Sequence, residues 1–256
     1  MPALPKSKRR RIKIIVLRKM IKKIIKSIPN TITSFNLISG LIATYFAFNF
    51  SNPIGDSGLY GYHITYLAIA AAALFDFCDG LSARLLGAYS NIGKELDSLA
   101  DLVSFGVAPA MLMLNILLSQ TSGNPVSFIA LFIPVMGAFR LAKFNVDDTQ
   151  KTSFSGLPIP ANAIFWIGFA EFTLSEAYPL NIWVNAAIIV FVSCLMVSRM
   201  RMFSLKFKNL KFKENFSRYV LIILAVVNVV FYGVQGFMWT IIFYILLSAV
   251  SRKSIE

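Results

Sequence analysis

Apolar runs close to the ~20 residues needed to cross a bilayer recur along the chain, with polar residues gathered between them. Eight windows can be read, at 29–50, 62–85, 94–118, 125–145, 156–175, 180–198, 216–233 and 236–250. The first, third and fifth also carry polar positions. The pattern predicts an all-α polytopic membrane protein: a six-span core over 29–198, then two further spanning helices and a short tail over 216–256. Near the first window, Ile14, Leu17, Ile21, Ile24, Ile25 and Ile28 recur at helical intervals, with Arg18, Lys19, Lys22, Lys23 and Lys26 between them. This predicts an amphipathic helix within 1–28 that lies in the membrane interface, basic face toward anionic headgroups. The connector 199–215 mixes basic residues with Phe203, Phe207 and Phe212, a composition suited to the headgroup layer.

Composition agrees with this reading. Of 256 residues, 57% are hydrophobic, and the mean hydropathy is +0.68. The net charge of +13 could suggest nucleic acid, but its distribution points to a membrane. Eleven of the 25 Lys and Arg precede the first span, and seven lie between Arg199 and Arg218. Arg84 and Lys94 flank the connection between spans two and three, Arg140, Lys143 and Lys151 that between four and five, and Arg252 and Lys253 follow the last span. The alternate connections, 51–61, 119–126, 176–181 and 232–235, hold none. Because cytoplasmic loops carry the Lys/Arg excess, eight spans put both termini on the cytoplasmic side of the inner membrane. No nucleic-acid partner is expected.

Cys78 and Cys194 read as two buried free thiols. No cleavable signal peptide is evident, so the first span is expected to target the chain. His63 falls on the non-cytoplasmic side and reads as structural.

The chemistry concentrates at one cytoplasmic turn. Asp76 and Asp79 are three residues apart near the end of span two; Asp97 and Asp101 are four apart at the start of span three. Each pair shares a helix face, and a short turn forces the helices antiparallel, so all four carboxylates can converge. Carboxylates beside hydrocarbon persist when paired, metal-bound or catalytic. Clustered hard oxygens favour Mg²⁺, with Mn²⁺ or Ca²⁺ as substitutes, and two such ions would clamp a phosphate or pyrophosphate. Gly80 and Gly93 allow close approach of a bulky ligand, and Arg84, one turn past Gly80, offers a phosphate-binding fork.

The run Asp76-x2-Asp79-Gly80-x2-Ala83-Arg84-x8-Gly93-x3-Asp97-x3-Asp101 resembles the signature of the CDP-alcohol phosphotransferase family at all eight fixed positions. The stretch from Glu95 to Ala110, with Arg140-Leu-Ala-Lys-Phe-Asn145 and Phe154-Ser-Gly-Leu-Pro-Ile-Pro160, is similar to the phosphatidylserine synthase branch. Pro29-Asn30-Thr-Ile-Thr33-Ser-Phe-Asn36 resembles the stretch that opens the family's first core helix.

The resemblance implies a fold of six core helices plus two, two divalent cations (Mg²⁺ or Mn²⁺) on Asp76, Asp79, Asp97 and Asp101, and Asp101 as general base. It implies CDP-diacylglycerol contacts from Asn30, Thr33, Asn36, Gly80, Arg84 and Ser90, and a homodimer. The implied reaction moves the phosphatidyl group of CDP-diacylglycerol to the hydroxyl of L-serine and releases CMP. Serine's carboxylate needs a cation. Arg140 and Lys143, followed by Asn145, are the candidates, with Lys151 a looser one. Glycerol 3-phosphate or an inositol phosphate as acceptor would call for a denser basic pocket. A cation transporter would hold its carboxylates near mid-membrane at broken helices, whereas these gather at one interface.

Overall fold

The computed structural model describes residues 6–146, 154–175, 181–203 and 211–251. Among the described residues are nine α-helices: α1 (Lys6–Phe48), α2 (Gly61–Leu86), α3 (Asn91–Asp101), α4 (Ala108–Gln120), α5 (Phe132–Val146), α6 (Ile159–Leu174), α7 (Ile182–Val197), α8 (Phe212–Tyr232) and α9 (Gly236–Ser251). Two short strands, β1 (Phe154–Ser155) and β2 (Arg201–Met202), pair antiparallel.

Helix α1 runs unbroken from the basic segment into the first apolar window, with Pro29 inside it where the two meet. It packs most extensively on α2. Small residues make this close pairing possible: Ala43 and Ala47 on α1, Ala68 and Ala72 on α2, all buried. At the far end of the pair, Gly61 lies against the backbone of the turn. A Cβ there would fall 2.1 Å from the Asn49 carbonyl oxygen, so only glycine fits. The nearby His63 Nδ1 accepts the Tyr60 N–H at 3.0 Å, which caps the start of α2 and fits its structural reading.

A π-helical segment, Leu102–Val107, joins α3 to α4 directly after Asp101. Insertions of this kind re-aim side chains and gather at functional sites. Gly40 on α1 makes room for it, since an added Cβ would sit 2.3 Å from Ser104 Oγ. Beyond it, α4 is the central helix, with Leu112, Met113, Ile116 and Leu117 fully buried. Around it pack α1, α6 and the 3₁₀ turn Pro125–Leu131, and Trp166 of α6 completes the core.

Five stretches among the described residues are long and apolar enough to cross a membrane: Ile25–Phe48, Gly61–Leu86, Asn91–Gln120, Pro125–Val146 and Asn215–Val250. The last contains both α8 and α9. Every predicted window contains a helix, but α6 and α7 have only 16 residues each. At 1.5 Å rise per residue that is about 24 Å, short of a ~30 Å hydrocarbon core. The protein is thus an all-α polytopic membrane protein.

One expectation is corrected. Cys78 is half-buried and Cys194 is exposed, both free. In a lipid-facing bundle an apolar span turns much of its surface outward, so an apolar neighbourhood in sequence does not imply burial.

Candidate active site

The site is assembled where the ends of α2 and α3 meet the middle of α1. Gly87 ends α2 in the left-handed conformation (φ 57°), which reverses the chain within a few residues. Ser90 then caps α3, its Oγ accepting the Gly93 N–H at 3.0 Å. This tight connection holds the two aspartate-bearing helices side by side.

Asp76, Asp97 and Asp101 each place a carboxylate oxygen within 4.8 Å of the others. Asp79 stands beside this trio, and its Oδ2 accepts the Thr33 hydroxyl of α1 at 2.5 Å. Asp101, almost fully buried, accepts the Asn36 amide on Oδ1 at 3.1 Å. Asn36 is itself held by Ser104, whose hydroxyl lies 2.7 Å from the Asn36 Oδ1 and 3.0 Å from its carbonyl. A helix from one end of the sequence thus orients two of the four carboxylates. Three clustered carboxylates repel one another unless a cation offsets their charge. Asp97 Oδ1 is buried with no hydrogen-bond partner among the described residues, and a hard cation would satisfy it. These groups fit a divalent metal.

Beside the carboxylates lies a cavity of about 200 Å³, lined by residues that include Asn30, Thr33, Asp79, Gly80, Ser90 and Asp97. Four of the six predicted nucleotide contacts therefore meet at one place. Gly80 has open space where a side chain would project. Gly93 is tightly covered instead: an added Cβ would lie 2.7 Å from Asn30 Oδ1. The first turn of α3 opens on this cavity, and its N-terminal dipole favours an anionic ligand. The remaining two predicted contacts sit apart. Asn36 lies behind Asp101, and Arg84 is exposed, its Nε donating to the Gly80 carbonyl at 2.9 Å.

The candidates for the acceptor carboxylate separate clearly. Arg140 of α5 is buried, 8% exposed, interacts electrostatically with Asp101, and its Nε has no hydrogen-bond partner among the described residues. Lys143 is exposed. Asn145 is engaged at both ends, its Nδ2 donating to Ser98 Oγ at 3.0 Å and its carbonyl accepting Lys94 Nζ at 2.9 Å. It ties α5 to α3. Lys151 lies outside the described residues.

The structure adds Tyr89 and Lys94 to the cavity wall and Ser104 to the support of Asn36. Lys94 carried a sequence signal, a basic residue one turn before Asp97, but one that also serves topology. Ser104 carried none.

Residues 26–250 match the CDP-alcohol phosphatidyltransferase family. The chain is similar to three proteins named CDP-diacylglycerol–serine O-phosphatidyltransferase. That of Mycobacterium leprae is 36% identical over 188 residues, covering 68% of this chain and 58% of that protein. That of Methanocaldococcus jannaschii is 35% identical over 178 residues, 70% of this chain and 74% of its own length. That of Bacillus subtilis is 40% identical over 134 residues, 52% of this chain and 69% of its own length. The chain thus spans between 58% and 74% of the lengths of these relatives.

Proposed function

We propose that this chain, which belongs to the CDP-alcohol phosphatidyltransferase family, transfers the phosphatidyl group of CDP-diacylglycerol to the hydroxyl of L-serine and releases CMP. One observation carries the reading: carboxylates from α2 and α3 converge beside a cavity whose wall includes Asn30, Thr33, Asp79, Ser90 and Lys94, with Arg140 of α5 buried and its Nε unpartnered among the described residues.

Asp76, Asp79, Asp97 and Asp101 would hold two divalent cations, Mg²⁺ or Mn²⁺ with Ca²⁺ as a substitute, and these supply charge neutralisation for the pyrophosphate. Asn30, Thr33, Gly80 and Ser90 bind the nucleotide end of the donor, and Arg84, exposed one turn beyond Gly80, offers its guanidinium to a phosphate. Asp101 accepts the serine hydroxyl proton. Asn36 holds one of its oxygens, so the carboxylate keeps a single orientation for that transfer. The serine oxygen forms a new bond to the phosphatidyl phosphorus, the bond from that phosphorus to the bridging oxygen breaks, and CMP departs with the electron pair. Arg140 pairs with the serine carboxylate. Lys143 lies too exposed to share that charge, and Asn145 braces α5.

The reading places the enzyme in the cytoplasmic membrane as a homodimer of eight-span chains, with both termini and the site on the cytoplasmic face and the basic start of α1 along the headgroups. The one-sided distribution of Lys and Arg supports the orientation. Such a site meets a membrane-held donor and a soluble acceptor together. A buried single guanidinium suits a carboxylate acceptor better than a phosphorylated one, which would need more positive charge.

Purified protein with CDP-diacylglycerol, labelled serine and Mg²⁺ or Mn²⁺ tests the reading. Labelled lipid and CMP should appear in equal amounts. Turnover only with glycerol 3-phosphate or an inositol phosphate would overturn the acceptor assignment alone.

A further inference from the structure

Among the described residues that line the cavity beside the carboxylates, Lys94 of α3 is the sole cation. Helix α3 borders this cavity in steps: Ser90 at its cap, Lys94 four residues on, and Asp97 three further. At 1.5 Å of rise per residue, Lys94 sits about 6 Å past Ser90 and about 4.5 Å short of Asp97. Helix α1 runs the same way, with Asn30 against Gly93 and Thr33, bonded to Asp79, one turn deeper. The cation thus stands between the residues assigned to the nucleotide and the carboxylates assigned to the metals.

Lysine and aspartate three residues apart on one helix are neighbours that can pair. Lys94 nevertheless forms no ion pair among the described residues; its Nζ donates to the Asn145 carbonyl at 2.9 Å. Asn145 lies in the last turn of α5, where carbonyls lack partners within the helix. Its side chain returns to α3, Nδ2 donating to Ser98 Oγ at 3.0 Å. The two bonds clamp α3 to α5 and hold the ammonium off Asp97. An ammonium has three donors, so the clamp leaves two for a ligand. The charge also opposes its own helix, because Lys94 stands beside the first turn of α3, at the positive end of the dipole. That turn holds no acidic residue to offset it. An anion in the cavity removes the conflict.

We infer that Lys94 binds the nucleotide-side phosphate of the donor, the one that departs with CMP, and that Asn145 is its positioning residue. The inference rests on the CDP-diacylglycerol reading above. When the bond from the phosphatidyl phosphorus to the bridging oxygen breaks, the electron pair stays on that oxygen and the CMP phosphate gains a negative charge. An ammonium beside it holds the departing phosphate more strongly than the phosphate of the bound donor. The same clamp ties this phosphate contact to α5, the helix that carries Arg140.

The test measures binding of CMP and of cytidine to the full-length protein in Mg²⁺ by calorimetry. Lys94→Met keeps the apolar stem and removes the charge; it should weaken CMP about tenfold and leave cytidine, which has no phosphate, unchanged. Lys94→Arg keeps the charge and should hold CMP within about threefold of wild type. Asn145→Leu breaks the bond to Ser98 but keeps the accepting carbonyl. It should weaken CMP about threefold on its own and no further in Lys94→Met, since the two residues act through one contact. The Tm of each variant should stay near wild type. CMP affinity unaltered in Lys94→Met overturns the inference, as does a parallel loss of cytidine or a Lys94→Arg variant as weak as Lys94→Met. Additive losses from Asn145→Leu and Lys94→Met remove the positioning role of Asn145. If the wild type neither binds CMP nor releases it from CDP-diacylglycerol, the transfer reading falls and the inference falls with it. CMP release by the wild type with CMP affinity indifferent to Lys94→Met removes the inference alone.

Discussion

Asn36 of α1 donates its side-chain amide to Asp101 Oδ1 at 3.1 Å, across 65 positions of sequence. With Ser104 fixing the other face of the same amide, a carboxylate on the third apolar run takes its orientation from the first. The Thr33 to Asp79 bond repeats the device one turn earlier on α1.

Replacing Asn36 by Ala should therefore slow turnover rather than weaken donor binding. Partners that orient metal-binding or catalytic groups contribute roughly 10- to 100-fold when removed. Steady-state kinetics should show kcat reduced by that order and the CDP-diacylglycerol KM little changed. A changed donor KM with normal kcat would instead mean that Asn36 touches the nucleotide.

Asp97→Asn should abolish turnover. The substitution removes a charge from a cluster that holds its oxygens within 4.8 Å, and Asp97 Oδ1 has no partner of its own among the described residues. Chelation of divalent ions should silence the wild type as well, with Mg²⁺ or Mn²⁺ restoring it. Activity retained in Asp97→Asn would sink the metal-site assignment.

Gly80 and Gly93 line the same cavity but should respond differently to a side chain. Gly80 has nothing within 4 Å of an added Cβ, so Ala there should leave the fold intact and stabilise α2 by about 0.5–1 kcal/mol, while its methyl group raises the donor KM modestly by entering the ligand's space. Leu at Gly80 would fill the nucleotide space and raise the donor KM. At Gly93 even a methyl group meets Asn30 Oδ1 at 2.7 Å, so Gly93→Ala should already impair donor binding. Donor KM and thermal unfolding of the three variants give the comparison.

Arg140→Ala should raise the serine KM at least tenfold, because its guanidinium is buried with Nε unpartnered among the described residues and so is the candidate cation for the acceptor's carboxylate. Lys143→Ala should change it by less than about twofold, as expected for an exposed charge screened by water. Unchanged serine KM in both variants would remove Arg140 from the acceptor site.

Much of this site is legible in the sequence. Spacings of three and four residues place Asp76 with Asp79 and Asp97 with Asp101, because neighbours on one helix face follow from 3.6 residues per turn alone. The short turn after α2 then forces the pairs together. Asn145 was not legible in the same way. It follows Arg140 and Lys143 in a motif, but its amide is spent on Ser98 and its carbonyl on Lys94, contacts that exist only because α3 and α5 lie together.

By itself the sequence determined the class of the protein, the position of its helices and the identity of its acidic centre, since each depends on local periodicity and on where charge can sit along an apolar chain. Helix contacts were left to the tertiary structure. Apolar residues in a membrane protein face lipid as readily as they face one another, so the hydrophobic pattern does not say which side of a span is inside; Cys194, exposed on an apolar helix, is the example. Packing alone put Thr33 on Asp79, Asn36 on Asp101 and Tyr244 on Phe203, bonds that span 46, 65 and 41 positions.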